Sequence, residues 1–231
     1  MKFPVLIHLG TWTIDPHVFF VLLAYATGLA LFLWLRRREG DSIGRAERWL
    51  VVAAALIGSA LGARALAWPY GKTIVGGMIG GLVLVELVKW RMGVKSRTGD
   101  LFVLPLCAGI AIGRIGCFLA GLPDNTYGSP TSLPTGVDFG DGIPRHPTQL
   151  YESAFVLLLG ALLLGTRKRF TRPGDRFRLF MVSYMSFRLL VDFIKPEPRV
   201  AMGLSLIQWA CLATLLYYAV EATGLLTPRE A

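Results

Sequence analysis

Arg114 and Glu152 sit where an apolar chain ought to carry no charge. Arg114 lies late in one apolar run, in Gly113-Arg114-Ile115-Gly116-Cys117-Phe118. Glu152 opens the next run, at the end of Pro144-Arg145-His146-Pro147-Thr148-Gln149-Leu150-Tyr151-Glu152. Ionisable groups at membrane depth are costly, so each is a candidate for function. Another run carries Tyr184, Arg188 and Asp192 at a spacing of four, which places them on one helical face with a drift of about 40° per step. Arg188 and Asp192 can pair along that helix, and an Arg–Glu pair that only fixes helix register would account for Arg114 and Glu152. Neither pairing accounts for Arg64 inside a further run or Arg145 beside one. The carboxylates available in the runs are few: Glu86, Glu152 and Asp192. A surplus of guanidinium groups inside a bilayer calls for an anion. Their planar fork of donors fits phosphate bidentately, and a phospholipid headgroup is the anion at hand.

Such residues need a membrane around them, and the composition supplies one. The 231 residues are 54% hydrophobic and 17% charged, with a mean hydropathy of +0.54. Seven apolar runs approach the roughly 20 residues that cross a bilayer, at about 18–35, 49–68, 74–88, 101–120, 150–165, 179–194 and 203–220. The expectation is an all-α polytopic membrane protein, one transmembrane domain over 1–231 with seven transmembrane helices. Met1 to Pro16 reads as a short arm at the membrane surface, and no cleavable signal is expected in it. A long loop, 121–149, precedes the fifth run. Loops of that length are usually functional lids or disordered.

The net charge of +9 does not mark a nucleic-acid binder, because its distribution is that of a membrane topology. Alternate loops and the tail hold 16 of the 24 Lys and Arg residues, the opposite side five, and three (Arg64, Arg114, Arg188) lie in the runs. The basic side is cytoplasmic by the positive-inside rule. That puts the N-terminus and the 121–149 loop outside and the C-terminus in the cytoplasm, and the basic side also suits anionic lipid. Cys107, Cys117 and Cys211 show no metal-ligand spacing, and their odd number argues against a disulfide framework; no metal or other cofactor is expected. Gly76 and Gly80, and Gly77 and Gly81, form small-xxx-small pairs that admit close approach of a lipid or of another helix. Gly109 and Gly113 form a similar pair ahead of Arg114.

The motifs resemble the prolipoprotein diacylglyceryl transferase family. The resemblance rests on Gly113 to Phe118 with the later Gly128, on Arg145 to Glu152, and on the Tyr184/Arg188/Asp192 face. Tyr25 and Arg64 also fall where the family keeps a Tyr and an Arg in its first two spans. It covers nearly the whole chain, and the two long motifs together are a specific signal.

The resemblance implies a bacterial inner-membrane enzyme that moves a diacylglyceryl group from phosphatidylglycerol to the lipobox cysteine thiol of a prolipoprotein, releasing glycerol 1-phosphate. The expected partners are phosphatidylglycerol, prolipoprotein signal peptides and membrane lipid, with no nucleic acid. On this reading Arg114 and Arg188 clamp the leaving phosphate, with Glu152, Asp192 and Tyr25 orienting them. Gly76 and Gly77 admit the lipid, and Arg64, Cys117, Gly128 and Arg145 complete the substrate-binding set.

Two departures stand out. The family usually has a His before the Gly-Gly of the third span, a favoured base, and here that position is Val75. The family's Gly-Glu-x-x-Gly becomes Gly121-Leu122-Pro123-Asp124-Asn125-Thr126-Tyr127-Gly128, which loses the acid and lengthens the turn. Cys117 stands where many members have Asn. The thiol proton therefore has three candidate acceptors: His146, which also reads as a structural residue of the Arg-His-Pro turn, Tyr184 and Asp124. A protein that binds or translocates phospholipid without transferring it remains an alternative, favoured by Val75. A solute transporter is a weaker one, since no inverted repeats are visible.

Overall fold

The computed structural model describes residues 3–9, 12–67 and 71–223. Lys2, Trp68, Pro69 and Arg229, which entered the span and charge readings, lie outside the described residues. Each of the seven expected runs is a helix: α1 Pro16–Glu39, α2 Arg45–Leu66, α3 Ile74–Met92, α4 Val103–Ala120, α5 Thr148–Gly165, α6 Asp175–Val191 and α7 Leu206–Ala222. The chain is thus all-α in character, with little strand. Four helical stretches, Pro16–Glu39, Arg45–Leu66, Gly99–Ala120 and Thr148–Gly165, are long and apolar enough to cross a membrane, and Leu206–Ala222 is apolar but shorter.

Helix ends follow local chemistry. The Asp15 carboxylate accepts from the His17 and Val18 amides and so starts α1 at Pro16, where a proline's missing N–H costs nothing. Arg36, Arg37 and Arg38, expected in a loop, instead form the last turn of α1, because cations there complement the helix dipole. Arg176 and Arg178, also expected in a loop, lie in the first turns of α6, whose start is held by Asp100 accepting from the Gly174 and Phe177 amides. Gly93, at φ +70°, ends α3 by turning its N–H back onto the Lys89 and Trp90 carbonyls.

Three short antiparallel hairpins complete the chain: β1 Ile7–Leu9 with β2 Trp12–Ile14, β3 Val137–Asp138 with β4 Pro144–Arg145, and β5 Arg199–Ala201 with β6 Leu204–Ser205. The N-terminal arm, expected only as a surface segment, therefore contains a hairpin.

The chain divides into two compact units. The first comprises Met1–Gly40, Gly99–Phe180 and Phe193–Pro196. In it α4 packs between α1 and α5. Phe32 of α1 stacks on Phe102 with ring centroids 5.2 Å apart. Ser153 of α5 donates to the Ala111 carbonyl of α4 at 2.9 Å, and a side chain at Gly160 would meet the Cys107 Cβ at 3.1 Å. The second unit comprises Asp41–Thr98, Met181–Asp192 and Glu197–Ala231. Its centre is the α2–α3 pair.

At Gly76 the α3 backbone lies against the Gly62 carbonyl and Leu66 Cβ of α2, and at Gly80 against Gly58 and Gly62. Gly77 faces the Ser59 carbonyl and Ala63. The stripe at Gly76 and Gly77, expected to admit lipid, lies against the backbone of α2.

The 121–149 loop is ordered around glycine. The Gly128 amide donates to the His146 carbonyl at 2.8 Å, and the Ser129 amide to the Ile194 carbonyl at 2.7 Å. A Cβ at Gly128 would stand 2.6 Å from the His146 Cβ and 2.8 Å from the Ile194 carbonyl oxygen. Gly128→Ala is expected to destabilise the protein by about 1–3 kcal/mol through this overpacking. Thermal unfolding in detergent measures it, and an unchanged midpoint contradicts the crossing described.

Candidate active site

α4 and α5 build the first cluster. Arg114 lies two turns before Gly121, which closes α4 at φ +71°. Gln149 and Glu152 occupy the first turns of α5. Arg114 Nη2 stands 3.0 Å from Glu152 Oε2, with side chains 8% and 2% exposed. Desolvating both charges costs several kcal/mol per ion, so such a pair is weak evidence of stabilisation. A guanidinium carries five donors, more than one carboxylate can accept.

Gln149, three residues before Glu152 and on the same helical face, is 1% exposed. Among the described residues, neither its amide nitrogen nor its amide oxygen has a hydrogen-bond partner. Each such orphaned group costs about 1–3 kcal/mol, and buried polar groups are otherwise almost always satisfied. A guanidinium held by Glu152, and a donor–acceptor amide one turn before that carboxylate on α5, are groups that can receive a phosphate and a hydroxyl.

The loop residues are engaged by one another. Arg145 gives Asp141 two parallel hydrogen bonds of 2.7 Å each, and its guanidinium carbon stands 5.0 Å from the Tyr127 ring centroid. The residue expected to bind substrate therefore ties the loop. Hydrogen bonds from Arg145 hold the Asp141 carboxyl below its usual range. A depressed carboxyl contributes above its unfolded pKa of about 3.8 and loses that contribution as pH falls through the lower folded value. NMR of the Tyr127 ring is expected to stay constant from neutrality to about pH 4 and to shift only below it. Asp141→Asn is expected to remove that acid transition. A midpoint near neutrality in the parent protein contradicts the pairing.

His146 is half-buried, with Nδ1 3.4 Å from the Tyr151 hydroxyl, and its backbone is bonded to Gly128 and Ser129. That is the setting of a turn residue whose ring still reaches a hydroxyl.

In the second unit Tyr184, Arg188 and Asp192 are buried at 0%, 2% and 0% exposure. Arg188 Nη2 stands 3.9 Å from Asp192 Oδ1. Asp192 Oδ2 accepts from the Ser205 hydroxyl and lies 3.8 Å from Arg199 Nη1. Arg199 also donates to Gln208 at 2.6 Å, and Ser205 and Gln208 form the capping box of α7. Asp192 thus joins the end of α6 to the start of α7. Tyr25, expected to orient the arginines, is 65% exposed on α1. Arg64 is exposed in the last turn of α2, where a long stem lets the charge leave the apolar layer.

Two groupings escaped the sequence reading. Gln149 lay in the motif, but nothing in its spacing announced an unpartnered amide. His17, Cys117 and Asp124 bring one ligand atom each to within 4.8 Å of one another. His17 stands 100 positions from Cys117, so no local spacing could signal it.

The family model described as prolipoprotein diacylglyceryl transferase matches residues 4–222. Proteins named phosphatidylglycerol–prolipoprotein diacylglyceryl transferase are similar to the chain. The one from Nitratidesulfovibrio vulgaris is 33% identical, covering 88% of this chain and 86% of its own length. The one from Cupriavidus metallidurans is 30% identical, over 94% and 91%. The one from Bordetella parapertussis is 34% identical over 64% of this chain, and the match spans 59% of that relative.

Proposed function

The chain belongs to the prolipoprotein diacylglyceryl transferase family, and on that premise we propose that it transfers a diacylglyceryl group from phosphatidylglycerol to the cysteine thiol of a lipobox. The observation that carries the reading is the buried Arg114–Glu152 pair with Gln149 on the same face of α5. The thiolate sulfur forms a bond to a glycerol carbon while the carbon–oxygen bond to phosphate breaks, and glycerol 1-phosphate leaves with the electron pair. Arg114 stabilises the charge gathering on that phosphate, as fixed donors in a dry site do. Glu152 keeps the guanidinium aimed, and Gln149 bonds the hydroxyls of the glycerol headgroup. Arg188, paired with Asp192, is a second cation needed for turnover.

The proposal includes seven crossings of a bacterial inner membrane, with the N-terminus outside and the C-terminus cytoplasmic. A cysteine introduced at residue 40 is then protected from an impermeant thiol reagent in intact cells. Labelling there reverses the orientation.

The activity test incubates purified protein with phosphatidylglycerol and a lipobox peptide. A thioether-linked product is expected with the cysteine peptide and none with its serine counterpart. No product, beside an active relative, refutes the transferase reading. Buried Val75 favours the second reading, a phospholipid binder without transfer. Activity that appears only in Val75→His establishes that one.

A further inference from the structure

We propose that His17, Cys117 and Asp124 form a binding site for a zinc-class divalent cation whose open fourth position takes the acceptor cysteine as a thiolate. The proposal rests on the transferase reading and supplies what Val75 leaves missing, a means of deprotonating the thiol.

The three donors come from separate pieces of the first unit: the first turn of α1, the last turn of α4, and the 3-10 turn Leu122–Asp124. Cys117 Sγ stands 3.8 Å from His17 Nδ1, and His17 Nδ1 stands 3.1 Å from Asp124 Oδ1. Tetrahedral zinc bonds of about 2.3 Å to sulfur, about 2.05 Å to nitrogen and about 2.1 Å to oxygen imply separations of about 3.6 Å and about 3.4 Å. The sulfur–nitrogen spacing is slightly longer than its ideal and the nitrogen–oxygen spacing slightly shorter.

A Cys–His–Asp relay is a poorer fit. A relay needs the nucleophile on one ring nitrogen and the acid on the other, whereas here both approach Nδ1. What converges is three lone pairs on one point. The carboxylate is also oriented from behind, with the Thr126 hydroxyl donating to Asp124 Oδ2 at 2.5 Å. Outer hydrogen bonds of this kind hold metal ligands in place. One thiolate and one carboxylate neutralise a divalent cation, which suits a site at the edge of a membrane.

Three protein ligands with an open position is the pattern of catalytic rather than structural zinc. The site is open on the His17 side, where the side chain is 44% exposed, and closed on the Cys117 side. Cys117 follows Arg114 by three residues, so both lie on one face of α4. A thiol that enters the fourth position loses its proton to water on coordination. Its sulfur then forms the carbon–sulfur bond as the phosphate leaves towards Arg114, and the cation ends unchanged.

Cobalt(II) is the probe, titrated into the full chain in detergent after chelator treatment. One cobalt per chain with a thiolate-to-metal charge-transfer band is expected. Cys117→Ser removes the band, His17→Asn and Asp124→Asn weaken binding about tenfold or more, and Thr126→Val weakens it about 10- to 100-fold. A lipobox peptide intensifies the band, and its serine counterpart does not. No band in the parent protein, or one that survives Cys117→Ser, leaves only a His17–Asp124 contact and ends the proposal. A band indifferent to the peptide thiol removes the fourth-ligand role. Full transfer by chelated protein refutes the cation's part while the transferase reading stands. Transfer by neither form refutes that reading instead, and the cobalt spectrum alone then decides the site.

Discussion

Arg114→Gln lowers turnover with phosphatidylglycerol and a lipobox peptide by about 100- to 1,000-fold. This is the loss that follows removal of one fixed donor from a developing oxyanion. The substitution has a second effect that must be separated from the first. Arg114 and Glu152 are both buried and stand 3.0 Å apart, so removing one partner breaks a buried ion pair at a cost of about 3–5 kcal/mol. The Arg114→Gln/Glu152→Gln double variant removes both charges and is expected to recover most of that stability. It is not expected to recover turnover, because the phosphate still lacks the Arg114 cation. Arg114→Lys keeps the charge but loses the two-pronged geometry, and so falls between the two. Unfolding midpoints and initial rates, measured on the same preparations, check the set. A double variant that is both stable and near the parent rate removes Arg114 from the chemistry and leaves it a register-fixing pair.

Gly80→Val is expected to abolish the packed α2–α3 pair. A Cβ at residue 80 would run into the Gly58 carbonyl and stand 2.8 Å from the Gly62 Cα. Both obstacles are backbone, and a backbone cannot rotate aside. Membrane helices associate through close packing, without the hydrophobic drive that water provides, so separation by a methyl group or more finds little compensation. The expected cost is about 3 kcal/mol or more, at the upper end for overpacking. It should be read as a lowered denaturant midpoint or as loss of monodisperse protein. Gly113→Ala is the control, since a Cβ there meets nothing within 4 Å. Its stability is expected to change by no more than about 1 kcal/mol, in the stabilising direction for a helix interior. Equal damage from both substitutions contradicts the packing described here.

The hydrophobic runs locate the helices because backbone polar groups in lipid must be satisfied within the segment. Each of the seven expected runs is a helix. The ends shift where a local cap decides them: Asp15 advances α1, Asp100 holds the start of α6, and Arg36 to Arg38 stay helical because of the dipole. Such shifts depend on one or two hydrogen bonds, which hydropathy does not register.

The candidate site was legible in part for a similar reason. Arg114, Glu152, Arg188 and Asp192 announce themselves because charge is rare in apolar sequence, and their burial follows. Residue type did not reveal occupation. Arg145 is spent on Asp141 and Tyr127, Tyr25 faces outward, and the stripe at Gly76 and Gly77 is filled by α2.

The residue order by itself determined the membrane class, the helices, the family, and the charges that the bilayer makes costly. These depend on composition and local periodicity, which are properties of neighbours along the chain. Only the tertiary structure decided which partner each polar group meets. It left Gln149 with no side-chain hydrogen bond among the described residues and drew His17, Cys117 and Asp124 together across a hundred positions. Contacts of that kind are set by the packing of α1 against α4 and by the turn after Gly121, and no spacing within the sequence encodes them.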